Sequence, residues 1–173
     1  MAKLFNATFV ESIMSAIEYL ETPIGWLEIK ASDKGITHII FIDTEKTSQK
    51  NSITEDCKNQ LKDYFASRRK VFDLPLDVKG TEFQKSVWQQ LSTIPFGVSC
   101  SYRDIAEGIK NPKAVRAVGA ANARNPISIV VPCHRVIGVN GTLTGYAGGL
   151  KRKEWLLKHE GLLISKEAIP LDC

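Results

Sequence analysis

The chain has 173 residues, 43% hydrophobic and 24% charged, the balance of one globule or two small lobes, which excludes a disordered chain. Its longest apolar stretches, residues 35–42 and 127–131, fall far short of the roughly 18 residues a membrane span needs, and no basic, apolar leader opens it, so an untargeted cytoplasmic protein is expected. The net charge of +4 is uneven: residues 1–79 carry 11 Lys+Arg against 12 Asp+Glu, whereas residues 80–173 carry 12 against 7. The second half is therefore the candidate face for a polyanion, although such an excess also describes a plain solvated surface.

In chain order, residues 24–31 and 35–42 read as strands joined across Ser32-Asp33-Lys34-Gly35, a polar turn that predicts a hairpin. Ser52 and Glu55 form a capping box, and Cys57, Leu61, Tyr64 and Phe65 recur at helical spacing, predicting one helix that covers the sheet. Residues 71–78, interrupted by Pro75, read as an extended segment or edge strand. The chain divides at Lys79/Gly80 into an N-terminal α/β domain, residues 1–79, and a C-terminal domain, residues 80–173.

Thr81 and Gln84 cap the next helix, which presents Phe83, Val87 and Leu91 on one face and stops at Pro95-Phe96-Gly97. Ser101 with Asp104 caps a short helix over residues 102–109; Asn111 caps and Pro112 opens another, running to about residue 123. Two short helices on a tight turn make a helix-turn-helix candidate, and equally a plain helical hairpin. The second is nearly all small residues, Ala114, Ala117, Gly119, Ala120 and Ala121, with Arg116 its one long projecting cation. So thin a helix suits either a narrow nucleic-acid groove or tight packing against another helix.

Residues 127–131 form an apolar, β-branched run, read as a buried strand that ends at Pro132-Cys133-His134-Arg135. A cysteine beside a histidine and an arginine lies in cationic surroundings that lower a thiol's pKa, the alternative being an inert small hydrophobe. Cys57, Cys100 and Cys173 read as passive. With spacings of 43, 33 and 40 positions and no C-x-x-C, all four cysteines are expected to be free thiols rather than zinc ligands or disulfides. Residues 138–149 form a loop with five glycines and Tyr146, able to wall a pocket, before a helix over residues 151–160 closed by Gly161, with Leu150, Trp155 and Leu156 as core. Glu160 opposes the dipole of that helix, as either a solvated end or a carboxylate held for a partner.

In this order and spacing, Pro132-Cys133-His134-Arg135-Val136, Thr81-Glu82-Phe83-Gln84 with Val87-Trp88, Ile94-Pro95-Phe96-Gly97, Ser101-Tyr102, Asn111 through Gly119, Asn125-Pro126 and Gly145 through Gly149 resemble the O6-alkylguanine-DNA alkyltransferases. The match covers about residues 80–161, and residues 22–42 resemble the family's weaker N-terminal pattern. The resemblance implies an α+β fold: a small N-terminal antiparallel sheet with a covering helix, ribonuclease-H-like, then a mainly helical winged helix-turn-helix domain carrying the reactive cysteine.

It also implies a DNA repair protein, a monomer, that binds double-stranded DNA through the minor groove and flips O6-alkylguanine outward. Cys133 would take the alkyl group irreversibly, with no cofactor and no metal; O4-alkylthymine is a second candidate substrate. A thioether has neither a good leaving group nor an acyl carbon, so each molecule would act once. By the same resemblance His134 would draw the Cys133 proton through a water, with Glu160 orienting His134. Tyr102 would give a proton to guanine N3 and crowd the phosphate, and Arg116 would fill the vacated stack. Asn125 would brace the turn before Cys133; Val136, Tyr146 and Ala147 would line the base pocket; Ser101, Ala114, Ala117 and Ala120 would face DNA with Tyr102 and Arg116. Position 147 lacks the hydroxyl of some relatives, and no cysteine-rich N-terminal module or zinc site is legible. Two rivals are weighed: an alkyltransferase-like binding module, which lacks the cysteine found here, and a cysteine hydrolase, which leaves Arg116 and its thin helix unexplained.

Overall fold

A computed structural model describes residues 15–162 and 171–173. Three antiparallel strands, β1 (Ala16–Thr22), β2 (Gly25–Ala31) and β3 (Ile36–Ile42), lie in the order β1-β2-β3. Leu27, Ile29 and Ile39 are fully buried, and α1 (Ser52–Phe65) closes the sheet with Cys57, Leu61 and Tyr64. The hairpin and its covering helix are as expected, but β1 is a strand where none was read. The cap of α1 also differs. Asn51, not Ser52, is the N-cap: its side chain accepts from Thr54 N at 2.9 Å while Thr54 Oγ1 accepts from Asn51 N at 3.0 Å. Glu55 pairs with Lys50 instead, at 2.6 Å. Residues 71–78 form no strand beyond one parallel bridge from Ile36 to Leu76, since Pro75 has no N–H to extend a ladder.

The second half begins with α2 (Glu82–Leu91), capped reciprocally by Thr81 and Gln84 as expected. α3 (Tyr102–Gly108) and α4 (Val115–Ala123) form the helix pair, and α5 (Leu150–His159) is the last helix among the described residues. Asn111 and Pro112 do not open α4. They lie in the connecting turn, where the Asn111 carbonyl accepts from Ala114 N at 3.0 Å, and α4 starts without a side-chain cap. Trp88 on α2 donates its indole N–H to the Ala121 carbonyl at 2.9 Å, pinning α4 in place.

A short parallel pair, β4 (Cys100–Ser101) and β5 (Val136–Ile137), sets the start of α3 beside the 3-10 turn Cys133–Arg135. The expected strand over residues 127–131 is a turn: Ile127 bridges Ile39, and Ile129 sits in the left-handed region at φ 73°. Leu150 is exposed rather than core, while Leu156 is buried. Cys100 and Cys173 are joined in a disulfide, which corrects the expectation of four free thiols; Asp172 N donating to the Ser99 carbonyl at 3.1 Å brings the tail there. One apolar core runs from Leu27 and Ile29 of the sheet through Leu61 to Val118, Val136 and Leu156, so both halves are packed on a common interior. Among the described residues no helix is long and apolar enough to cross a membrane.

Candidate active site

Cys133 opens the 3-10 turn immediately after Pro132 and is 4% exposed. Burial pushes its thiol pKa up, partly offset by Asn125, by the charge of Lys153 and by the N–H groups of Cys133 and His134. The thiol is therefore protonated at rest, contrary to the expectation that its neighbours simply lower it. Burial dominates, and Arg135 is engaged elsewhere. Its guanidinium is buried and forks onto Glu160, Nε to Oε2 at 2.8 Å and Nη2 to Oε1 at 2.9 Å, with Nη1 donating to the Ile94 carbonyl at 2.6 Å.

Glu160 caps the C-terminus of α5 and is buried, so the helix-end carboxylate is held for partners and not solvated. Burial alone would raise its pKa, but His134 and Arg135 overcome this and hold the carboxyl well below the usual carboxylate range. His134 Nε2 lies 2.8 Å from Glu160 Oε1. An ionised carboxylate only accepts, so Nε2 carries the proton and Nδ1 is the basic nitrogen. Nδ1 is buried and meets no protein partner, and burial lowers the ring's pKa despite Glu160, keeping the imidazole neutral. A neutral base with its basic nitrogen free thus follows Cys133 directly in sequence.

Two further groups belong to the site and were missed in the sequence. Tyr64, from α1, donates its hydroxyl to Glu160 Oε1 at 2.8 Å across a separation of 96 residues. Lys153 is fully buried and donates to the carbonyls of Val136 and Thr144; burial, against the pull of Cys133, brings its pKa down to about 8. Tyr64 was legible only as a core position of a helix, and Lys153 sits in the run Lys151-Arg152-Lys153, which reads as solvated surface.

A cleft of about 570 Å³ is lined by Tyr102, Arg116, Gly119 and residues 144–147. Tyr102 and Tyr146, on its wall, pack against the same core that holds Cys133. Tyr102 heads α3, and its hydroxyl accepts from Thr144 Oγ1 at 3.1 Å; burial raises its pKa, so it is a phenol with a proton to give. Burial likewise pushes the Tyr146 hydroxyl well up, and Ala147 beside it is exposed. On α4, Arg116, Ala117 and Ala120 are exposed on one side, with Ala114 half-buried at its start. Among the described residues nothing pairs with the Arg116 guanidinium, which stands free at the cleft's edge.

Ser101 departs from its expected DNA-facing role. It is buried, and its hydroxyl donates to Asp104 Oδ2 at 2.7 Å while accepting from Asp104 N at 3.1 Å, so its side chain is committed to capping α3. Asn125 is a brace as expected: Nδ2 donates to the carbonyls of Val131 at 2.8 Å and Ile127 at 3.3 Å, and Oδ1 accepts from Ile127 N at 3.0 Å. Val136 is buried, its carbonyl already engaged by Lys153. Cys57 is buried with its thiol pushed up to about 12, which fits the passive reading.

Comparison with known proteins agrees with this arrangement. A family model described as the DNA binding domain of 6-O-methylguanine DNA methyltransferase matches residues 82–162, and one described as its ribonuclease-like domain matches residues 16–78. The methylated-DNA–protein-cysteine methyltransferase of Methanosarcina mazei is 49% identical over 148 residues, covering 82% of this chain and 94% of that one. The constitutive enzyme of the same name from Bacillus subtilis is 51% identical over 138 residues, covering 74% and 84%. Among solved structures, the O6-methylguanine methyltransferase of Mycobacterium tuberculosis superposes with a TM-score of 0.78 at 41% identity, over 85% of this chain and 93% of that one. The OGT of the same organism in complex with DNA gives a TM-score of 0.77 at 44% identity, over 83% and 91%. With both halves matched in order, the chain belongs to the 6-O-methylguanine DNA methyltransferase family.

Proposed function

We propose that this protein repairs DNA by moving the alkyl group of O6-alkylguanine onto its own Cys133, once per molecule. The observation that supports this most directly is the run Glu160, His134, Cys133, in which Glu160 holds Nε2 of a neutral His134 and leaves its Nδ1 without a protein partner, next to Cys133 in the sequence. The thiol proton passes to Nδ1, through a water, as Sγ attacks the alkyl carbon. The S–C bond forms, the C–O6 bond breaks, and its electron pair enters the guanine, which takes a proton at N3 from Tyr102. Glu160 stabilises the imidazolium so formed. The product is a thioether that nothing in this site reverses.

The slender exposed side of α4, Ala114, Ala117 and Ala120, suits close approach to the minor groove, and the free Arg116 suits the gap left by an extruded base. The base then lies in the cleft against Val136, Tyr146 and Ala147. The protein acts as a monomer, with no cofactor, because thiol, base and acid are all supplied by one chain.

Mass spectrometry after mixing with duplex carrying O6-methylguanine tests this: one methyl group is expected on the peptide containing Cys133. Cys133→Ala binds the duplex and transfers nothing. Arg116→Ala reacts slowly with the duplex and at near wild-type rate with free O6-benzylguanine, which has no stack to fill. An unmodified wild-type Cys133 after complete mixing sinks the reading, and equal losses of Arg116→Ala on both substrates remove the finger role.

A further inference from the structure

We infer that Arg152 is a positioning residue for the alkyl transfer, latching the base-binding loop, residues 144–149, onto the N-terminal sheet. The inference rests on the proposed function above, because it names what holds that site's loop in its working shape.

Among the described residues, the loop's hydrogen bonds to the rest of the molecule lie near its two ends, with Tyr146 packed against the core between them. Thr144 holds the first end, its carbonyl accepting from Lys153 at 2.8 Å and its hydroxyl donating to Tyr102 at 3.1 Å. Between the ends, a Cβ built at Gly145 would meet nothing, and Ala147 is exposed. Arg152 holds the second end. Its Nη1 donates to the Gly148 carbonyl at 3.0 Å, and its Nε donates to the carbonyl of Ile24 at 2.7 Å, in the turn between β1 and β2 and 128 residues distant. The same guanidinium lies 4.6 Å from the centroid of the Phe41 ring on β3, a cation–π distance.

The backbone is shaped for this contact on both sides. At Gly25, already at φ 116°, a Cβ would come within 2.8 Å of Arg152 Nη2. At Gly148 a Cβ would come within 2.8 Å of both Phe41 and Tyr146. Two glycines therefore let the loop, the sheet and the guanidinium meet. A planar fork can bond two carbonyls while lying over a ring, which an ammonium does not do. Because Tyr146 sits between the two tethers and packs against the core that holds Cys133, the latch sets how often the loop is in the shape that receives the base. A site competent only part of the time binds more weakly in proportion, while its rate at saturation is unchanged.

Single-turnover alkylation by O6-benzylguanine, run on the full chain alongside amide hydrogen exchange, tests this. Arg152→Ala and the milder Arg152→Gln should raise the half-saturating concentration, the former about tenfold, and leave the limiting rate constant within about twofold. Exchange at residues 145–149 should speed up in both, with β2 and β3 protected as in wild type. Arg152→Lys should recover little of the loss. An unchanged half-saturating concentration, unchanged loop exchange, or full rescue by lysine overturns the latch. If the wild-type chain fails to alkylate at all, the proposed function fails, while loop exchange still decides whether Arg152 holds the loop.

Discussion

Five donors converge on the carboxylate of Glu160: the Tyr64 hydroxyl, His134 Nε2, two nitrogens of Arg135 and, at 3.3 Å, Gly97 N. A buried carboxylate so surrounded is a structural ion as well as, in the proposed reaction, the partner of His134. Removing its charge leaves Arg135 buried without a counter-ion, so Glu160→Gln should cost about 3–5 kcal/mol in denaturant unfolding. Its folded pKa lies below its unfolded one, so the stability it lends is in place above the ordinary carboxylate range and is lost as pH falls through the folded value. His134 is likewise lowered, mainly by burial, and the share due to its neutral ring is present above about pH 6.5 and lost as pH falls below it. The alkylation rate with O6-benzylguanine should accordingly stay level from about pH 8 to 6.5 and fall only below that. A decline beginning above pH 7 would show that the ring titrates as an exposed histidine. The charge-opposed position of Glu160 was visible in the sequence, because a carboxylate at a helix C-terminus is a local feature. Tyr64 was not, because a core tyrosine and a catalytic-network tyrosine occupy the same helical spacing.

The elements that position Cys133 were legible where their signals are local and closed. The capping boxes of Thr81/Gln84 and Ser101/Asp104 are such signals, satisfied within one turn of the chain. The run at residues 127–131 misled, since β-branched apolar residues suit a strand and a buried turn alike. What makes it a turn is Asn125, whose one side chain answers three backbone groups and lets Ile129 stay in the left-handed region, at a strain of about 1–3 kcal/mol. β1 was missed for a related reason: Tyr19 and Leu20 are both buried, which breaks the period-two alternation that marks a strand. Asn125→Ala should strand these buried groups at about 1–3 kcal/mol each before relaxation, release Ile129, and slow alkylation by displacing Cys133. Asn125→Asp keeps the acceptor for Ile127 N but loses the donor to Val131 O, so its rate should fall between wild type and Asn125→Ala. Urea unfolding and single-turnover rates measure both, and an alanine variant that reacts at the wild-type rate would remove the brace from the account.

At the scale of the whole molecule, the contacts that complete the site join segments far apart in the chain, and no local pattern announces them. Tyr64 reaches Glu160, Arg152 reaches Ile24, and the tail reaches β4 through Cys100 and Cys173. The last was read in the sequence as two free thiols, because spacing alone says nothing about which cysteines a fold brings together. Here the tail is drawn in by Asp172 on Ser99, and the two Cα atoms stand 5.0 Å apart, within the range a disulfide spans. The bond closes a loop with a sequence separation of 73 that includes α3, α4, Cys133 and α5, and a loop of that length reduces the freedom of the unfolded chain by an amount worth up to about 4 kcal/mol. Since β4 leads directly into Tyr102, the bond also fastens the start of α3 from outside the site. Cys173→Ser should lower unfolding stability by about 2–4 kcal/mol without reductant. Under reducing conditions variant and wild type should unfold alike, and alkylation of Cys133 should continue in both, because the strap lies outside the chain Glu160, His134, Cys133. Equal stability of the two proteins under non-reducing conditions would show that the bond contributes nothing to the fold.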